Sequence, residues 1–234
     1  MIDEEKINIL ELVDGAKIAT GTVIIIDVFR AFSLEPYLYN MGATLIRPVE
    51  SVEDAFQLKK LIPNAVLIGE RKGVKCEGFD YGNSPSSIKA SDINGRVIIH
   101  TTSQGTKGLA NVNNPQRLLT GSFVNAKAIS KYILALNPSQ VSLVCMGNSQ
   151  KKVAEEDLLC ALYIKSMLAG HPMPNLSNQL TSLRYSAGKK FFLPSCQVNY
   201  PEQDFWLCIK NDIFNFVISV EKDDLGLCAK RLDI

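Results

Sequence analysis

Residues 23–31 read Val-Ile-Ile-Ile-Asp-Val-Phe-Arg-Ala, an apolar run of mostly β-branched side chains that meets a carboxylate at Asp27. An apolar run without alternation is typical of a strand that is buried on both faces, as in parallel sheets. Runs of this kind lie at residues 23–28, 44–49, 65–69, 97–101, 117–120 and 141–146. Helical patterns separate them, so we predict an α/β fold with a mainly parallel sheet flanked by helices.

Three of the helical segments have clear ends. The segment 51–61 begins at Ser51, a favourable N-cap, with Asp54 three residues later. The segment 122–136 stops before Asn137-Pro138, and the segment 155–168 has three carboxylates in its first turn, where the helix dipole favours them.

The last 60 or so residues have a different pattern. A turn at Asn211-Asp212 between apolar runs at 205–210 and 214–220 predicts a hairpin or an edge addition, and 175–190 predicts a helix. We expect one domain over residues 1–234, with any boundary to a C-terminal hairpin or smaller lobe near 171–178.

Composition excludes several classes of function. The chain has 234 residues and a net charge of +1, which gives no basic field for nucleic acid. No apolar run approaches the roughly 20 residues that span a bilayer, and the acidic N-terminus lacks a secretory pattern. The six cysteines form no CxxC pair, so we expect reduced thiols and a cytoplasmic protein without membrane or nucleic-acid partners.

Polar side chains follow the predicted strands at the ends where α/β proteins bind ligands. The hydroxyl-rich stretch 101–106 lies just before a predicted helix, which suits an anion cradle, and arginines can grip phosphate with paired hydrogen bonds. Carboxylates are the oxygen ligands of Mg²⁺. We therefore predict that one edge of the sheet binds a small phosphorylated anion and a hard cation, using Asp27, Arg30, Glu70, Arg71, Lys72, the stretch 101–106, a turn at Gly147-Asn148-Ser149, Glu156 and Asp157.

Each feature also has an ordinary structural interpretation. The hydroxyl run can be a helix cap, the acids at 155–157 can serve only the helix dipole, and the arginines can form surface ion pairs. The sequence has no GxxxxGK[ST], GxGxxG, GxSxG or HExxH motif, which sets aside the corresponding nucleotide, dinucleotide, serine-hydrolase and zinc-protease mechanisms.

Taken together, these segments resemble the 2-phosphosulfolactate phosphatase (ComB-like) family from about residue 20 to the C-terminus. Six segments match in order and with similar spacing. They are 23–31 (like VVIDVLRA), 69–73 and 77–85 (like GER…GFDxGNSP), 101–106 (like TTxNGT), 121–126 (like GSFLNA) and Glu156-Asp157-x-x-Cys160-Ala161 (like ED-x-x-CA).

The resemblance implies a ComB-like α/β fold, a homodimer, and a Mg²⁺-dependent phosphatase that converts 2-phosphosulfolactate to sulfolactate and phosphate. In the family this is a step of coenzyme M biosynthesis. By motif match the metal and acid–base residues are Asp27, Glu70 and Glu156, with Arg30 and Arg71 on the phosphate or on the substrate's other anion. The residues expected to bind the substrate are Asn83, Ser84, Thr101, Thr102, Ser103, Gly105, Thr106 and Cys160.

The sequence departs from the family pattern at Phe32 and Leu34, which are bulkier and more apolar than the small Thr-rich run usual there. A phosphatase for another small phosphorylated hydroxy acid is therefore an alternative. A non-catalytic anion-binding homologue and an inactive homologue are the others. The mechanism is open between attack by water and a phospho-enzyme on Asp27, Ser103 or Cys160.

Overall fold

The computed structural model describes residues 1–147 and 154–234, so the predicted turn at Asn148-Ser149 lies outside the described residues. The strands are β1 (Ile7–Glu11), β2 (Thr22–Ile26), β3 (Leu45–Pro48), β4 (Val66–Arg71), β5 (Val74–Lys75), β6 (Val97–Thr101), β7 (Arg117–Gly121), β8 (Val141–Cys145), β9 (Phe216–Asp223) and β10 (Gly226–Asp233). The α-helices are α1 (Leu12–Ile18), α2 (Ala31–Asn40), α3 (Val52–Leu61), α4 (Ala90–Ile93), α5 (Gly105–Ala110), α6 (Ala126–Leu136), α7 (Glu155–Ala169), α8 (Leu176–Ser182) and α9 (Glu202–Cys208). Short 3-10 turns occur at Glu4–Lys6, Phe123–Asn125, Leu183–Tyr185, Lys189–Phe192 and Pro194–Cys196.

The strands form one mostly parallel sheet in the order β1-β8-β2-β7-β9-β10-β3-β6-β4-β5, which confirms the predicted fold class. Two sets of parallel strands, β1-β8-β2-β7 and β3-β6-β4, are joined by the antiparallel hairpin β9-β10. This hairpin is not the predicted one. The sequence placed its strands at 205–210 and 214–220, whereas β9 and β10 meet at residues 224–225 and lie in the middle of the sheet, not at its edge.

This placement changes the geometry of the strand ends. Because β7 is antiparallel to β9, β9 to β10 and β10 to β3, the two parallel sets run in opposite directions. The prediction of one shared edge is therefore wrong. Six strand-to-strand steps separate β2 from β4. Because each strand is rotated by about 20–25° relative to its neighbour, β2 and β4 are also far from aligned with each other.

Strand β2 is covered on both faces, as its sequence predicts. Ile24 and Ile26 pack into one apolar cluster with helices α6 and α7, while Val23 and Ile25 pack into a second cluster with α1, α2 and α5. All four side chains are fully buried. The strand thus holds Asp27, which follows it, in a rigid setting between two helical layers.

Helix α2 was not predicted, and it contains Pro36. Proline lacks an N–H, so the carbonyl of Phe32 loses its usual helical partner. The Ser122 hydroxyl donates to this carbonyl at 3.0 Å instead. A hydrogen bond from a distant segment therefore makes the proline tolerable, and the local pattern cannot reveal it.

Two C-terminal predictions are wrong. The apolar run 205–210 lies mainly in helix α9, because Phe205 is fully buried against Phe192, with ring centroids 5.0 Å apart. The predicted helix 175–190 stops at Ser182 and continues as 3-10 turns. Tertiary packing outweighs local propensity in both places. Within the described residues, no helix combines the length and apolar character that a membrane span requires.

Candidate functional site

A pocket of about 710 Å³ collects residues from both parallel sets of strands and from the C-terminal segment. Its lining residues are Asp27, Phe29, Arg30, Glu70, Arg71, Lys72, Gly73, Asn83, Ser103, Gln104, Lys107, Gly147, Lys190 and Tyr200. Several of the residues predicted at one edge, including Asp27, Glu70 and Ser103, thus converge from the oppositely directed sets. The lining includes two carboxylates and five cationic side chains, so the pocket suits an anion.

Asp27 lies directly after β2, and the residue is only 8% exposed. Its Oδ1 accepts a hydrogen bond from the Ala31 amide at 3.2 Å. Burial and the nearby charge of Glu70 raise the pKa of Asp27 to about 7. A Cβ at Gly105 would lie 2.9 Å from Asp27 Oδ2, so glycine permits this close approach of α5.

Glu70 links the two loops on the far side of the pocket. Its Oε1 accepts from the Ser103 amide at 2.7 Å, and its Oε2 accepts from the Ser103 hydroxyl at 3.1 Å and the Gly73 amide at 2.5 Å. The Lys72 amide also donates to the Ser103 hydroxyl at 3.0 Å. Glu70 therefore holds the shape of this wall, and the Ser103 hydroxyl is already engaged.

The expected phosphate-binding groups are engaged in different ways. The Arg71 guanidinium donates to the Glu70 and Glu50 carbonyls and to Thr101 Oγ1, each within 2.9 Å. Thr102 and Thr106 are buried and bond each other's amide through their hydroxyls at 3.1 Å. Their hydroxyls are therefore engaged with each other's backbone around the start of α5, and neither threonine lines the pocket.

Arg30 is 3% exposed and its Nη1 lies 2.5 Å from Oδ2 of Asp204, which is fully buried. Its guanidinium also lies over the Tyr200 ring, 4.9 Å from the centroid. Ser84 donates to the other oxygen of Asp204 at 2.9 Å, while the neighbouring Asn83 lines the pocket with its Oδ1 buried and, within the described ranges, unpartnered.

The first turn of α7 adds two buried acids near Asp27. Asp157 accepts from the Val28 and Gly147 amides at 2.8 Å each, so it joins the ends of β2 and β8. Glu156 is 3% exposed and its Oε2 has no hydrogen-bond partner in the described residues. Burial raises the pKa of both carboxyls, and the negative charge of Glu156 adds to the effect on Asp157.

Cys160 is not brought to the pocket. Its side chain is fully buried in the apolar cluster that contains α6 and α7, and burial raises the pKa of the thiol well above its usual range. Phe32 and Leu34 are likewise fully buried in the other cluster and do not line the pocket. Their departure from the family pattern is therefore not a change in the residues that line the pocket.

Sequence reasoning missed Lys190, Tyr200 and Asp204, all from the C-terminal segment. The Lys190 amine lies over the Tyr200 ring, 4.8 Å from its centroid. Burial lowers the pKa of this amine, although the negative charge of Glu156 acts to raise it. The ion pairs of residues 1–147 and 154–234 do not include Lys190. No motif marks these residues, since only the fold brings them to the pocket.

The predicted cation ligands fit a divalent metal in their chemistry. Asp27, Glu70 and Glu156 are buried carboxylates, and the unpartnered Oε2 of Glu156 is an oxygen that a hard cation would satisfy. No three His, Cys, Asp or Glu side chains of the described residues are, however, already grouped as a metal site. The donors are suitable, and their coordination geometry is not preassembled within these ranges.

Fold and site together define an α/β protein with a pocket whose cationic lining suits a small anion and which has buried carboxylates beside it. The sequence model described as 2-phosphosulpholactate phosphatase matches residues 7–223, and the chain belongs to this family.

Curated relatives of this chain carry descriptions that match the family. The chain is 41% identical over 144 residues to a "Probable 2-phosphosulfolactate phosphatase" of Caldicellulosiruptor saccharolyticus, covering 60% of this chain and 59% of that protein. It is 39% identical over 175 residues to the protein of the same description from Carboxydothermus hydrogenoformans, covering 74% of this chain and 72% of the relative. The one from Bacillus subtilis is 30% identical over 202 residues, covering 86% and 87%.

Proposed function

We propose that this protein is a Mg²⁺-dependent phosphatase that hydrolyses 2-phosphosulfolactate to sulfolactate and phosphate. The observation that supports this most is the pocket, which is lined both by five cationic side chains and by the buried carboxylate of Asp27. Membership of the family and the names of the relatives support the same activity.

In this proposal Asp27 and Glu156 would hold Mg²⁺, with Glu70 completing the carboxylate set. The metal supplies Lewis-acid polarisation of the phosphoryl group and offsets repulsion between the carboxylates and the substrate. Glu70 also keeps the 70–73 and 101–103 loops together through its hydrogen bonds. These loops form one wall of the pocket in which the substrate would bind.

Three of the five pocket cations have distinct roles in this mechanism. Arg30 and Arg71 are fixed by protein partners, so they present rigid donors to charge that develops on the phosphoryl oxygens. Lys190 has no ion-pair partner in the described residues, so its charge is available to the phosphate or the sulfonate. Cys160 lies outside the pocket, which leaves Asp27, Ser103 and water as candidates for the attacking group.

The substrate is tested by phosphate release from 2-phosphosulfolactate, 2-phospholactate and p-nitrophenyl phosphate at equal concentrations. We expect a preference for the sulfonate, because the pocket offers more cations than a phosphate alone needs. Faster turnover of 2-phospholactate would overturn the substrate assignment and leave a phosphatase of other specificity. A stoichiometric burst of p-nitrophenol that precedes phosphate release from p-nitrophenyl phosphate would identify a phospho-enzyme.

The proposal also covers the setting of the enzyme. A cytoplasmic location is supported by the six cysteines, all of which are free thiols in the structure. A homodimer follows from the family resemblance alone, and sedimentation equilibrium would test it. A monomer at micromolar concentration would contradict the dimer without affecting the proposed activity.

A further inference from the structure

We infer that Asp204 is a positioning residue, which orients the Arg30 guanidinium and the 83–86 loop toward the pocket. The inference rests on the proposed function only for its kinetic readout. Its structural basis is the buried carboxylate of Asp204, whose two oxygens bind two different parts of the site, Arg30 and the 83–86 loop.

The first oxygen binds the cation. Oδ2 of Asp204 lies 2.5 Å from Nη1 of Arg30, and both side chains are at most 3% exposed. In this setting the pair is held in one geometry, since either charge alone would be costly to bury. The rings of Phe191 and Tyr200 face the same guanidinium at 5.8 and 4.9 Å. Arg30 is thereby limited to one orientation.

The second oxygen binds the loop. Oδ1 of Asp204 accepts from the Ser84 hydroxyl at 2.9 Å, the Ser86 amide at 3.0 Å and the Ser86 hydroxyl at 2.6 Å. Asn83 directly precedes these donors and lines the pocket with a buried Oδ1 that has no partner among the described residues. Asp204 therefore fixes the distance between Arg30 and Asn83, two pocket groups that come from separate segments.

Asp204 itself belongs to α9, which packs through Phe205 on the same apolar cluster as the β2 strand. The residue does not line the pocket. Its effect on a ligand must therefore pass through Arg30 and the loop, which is what separates a positioning residue from one that contacts substrate.

A double-mutant cycle tests this role. We expect Asp204→Asn to lower kcat/KM and the affinity for inorganic phosphate about 10²-fold, the scale of a misplacement near 1 Å. An asparagine at 204 keeps an oxygen that can accept from the 83–86 loop and loses the charge that pairs with Arg30. The Arg30→Gln protein and the Asp204→Asn/Arg30→Gln protein should therefore differ by less than about threefold, the weight of one weak hydrogen bond. Equal losses from Asp204→Asn in both backgrounds would overturn the inference.

Two further variants keep the test decisive. Asp204→Asn leaves a buried arginine unpaired and can fail to fold. Arg30→Gln leaves the Asp204 carboxylate with its hydrogen bonds from Ser84 and Ser86, and the double variant carries no charge at either position, so these two proteins can be compared with each other alone. Asp212→Asn is the matched control: Asp212 also joins two segments, through the Lys127 amide at 2.8 Å and the Tyr163 hydroxyl at 2.6 Å, but lies outside the pocket lining. It should lower stability and leave phosphate affinity unchanged. A loss of affinity in this control equal to that of Asp204→Asn would refute a specific role for Asp204.

Calorimetric titration with inorganic phosphate separates this inference from the proposed function. A wild-type protein that binds phosphate but hydrolyses none of the three phosphate esters refutes the phosphatase proposal, while the cycle in binding still tests Asp204. A folded Asp204→Asn protein with wild-type phosphate affinity refutes the positioning role, whatever the activity of the wild type.

Discussion

Replacing Gly105 by alanine tests whether the close approach of helix α5 sets the position of the Asp27 carboxylate. The added Cβ would lie 2.9 Å from Asp27 Oδ2, 0.5 Å short of the 3.4 Å at which ordinary contact begins. It would also lie 3.1 Å from Phe32 and 3.2 Å from Ala31, so the methyl group has no free direction. The backbone at Gly105 does not have positive φ, so the effect arises from the contact and not from the helix conformation.

The magnitude follows from the crowding. Overpacking of this kind costs ~1–3 kcal/mol, which for a chain of this size lowers Tm by roughly 3–9 °C. If the Asp27 carboxylate retreats by half an ångström, kcat/KM for phosphate release should fall about tenfold, since a 1 Å misplacement costs about 10²-fold. Both quantities are measured on the same purified protein, with kcat/KM taken well below Tm.

Gly95→Ala is the matched control. Gly95 has φ +72°, and no atom lies within 4 Å of the place that a Cβ would take, so alanine there costs stability through the backbone alone, by about 1 kcal/mol. It should leave kcat/KM unchanged. If Gly105→Ala keeps wild-type kcat/KM, the close approach of α5 does not set the position of Asp27, and that part of the reasoning fails.

Three further predictions concern single groups. Lys190→Met should raise KM for 2-phosphosulfolactate roughly tenfold or more, because it removes a cation from the pocket lining; an unchanged KM in steady-state assays would exclude contact with substrate. Cys160→Ala should keep kcat while lowering Tm, because the thiol is fully buried and burial raises its pKa; loss of kcat in a folded variant would restore Cys160 as an acceptor. The hydrogen bonds from Arg47 lower the pKa of Asp223 from 3.8 to about 2, so the pair stabilises the fold above pH 3.8 and this contribution disappears as the pH falls through about 2. Acid unfolding followed by circular dichroism should therefore show that Arg47→Met loses less stability than the wild type between pH 3.8 and about 2. Equal losses of stability in the two proteins would contradict the assignment.

The sequence predicts the parallel part of the sheet because its signal is local. Strands such as β2 and β8 are continuous apolar runs. Helix α3 has Ser51 as its N-cap, as expected, and the Ser51 hydroxyl accepts from the Asp54 amide at 2.9 Å. The central hairpin depends on pairing between β9 and β7, which no local pattern specifies. Its position therefore had to come from the structure.

The candidate site divides in the same way. Asp27, Arg30, Glu70 and Arg71 line the pocket and stand at the ends of apolar runs, where the general rule for α/β proteins places ligands. Lys190 and Tyr200, which the C-terminal segment contributes, belong to no motif. Aromatic packing within that segment brings them to the pocket, and a local sequence pattern does not reveal this packing. Burial also separates residues that match the family motif: Cys160 packs in the core, away from the pocket.

The most direct measurement of the central claim is phosphate release from 2-phosphosulfolactate by three proteins, the wild type, Asp27→Asn and Asp14→Asn, with Mg²⁺ and with EDTA. Asp14 is an exposed aspartate paired with Lys17 at 3.0 Å and serves as the control. The account predicts Mg²⁺-dependent release by the wild type and Asp14→Asn, and a loss of at least about 10²-fold in Asp27→Asn. Equal release by all three proteins, or release that EDTA leaves unchanged, would contradict a metal-assisted reaction in this pocket.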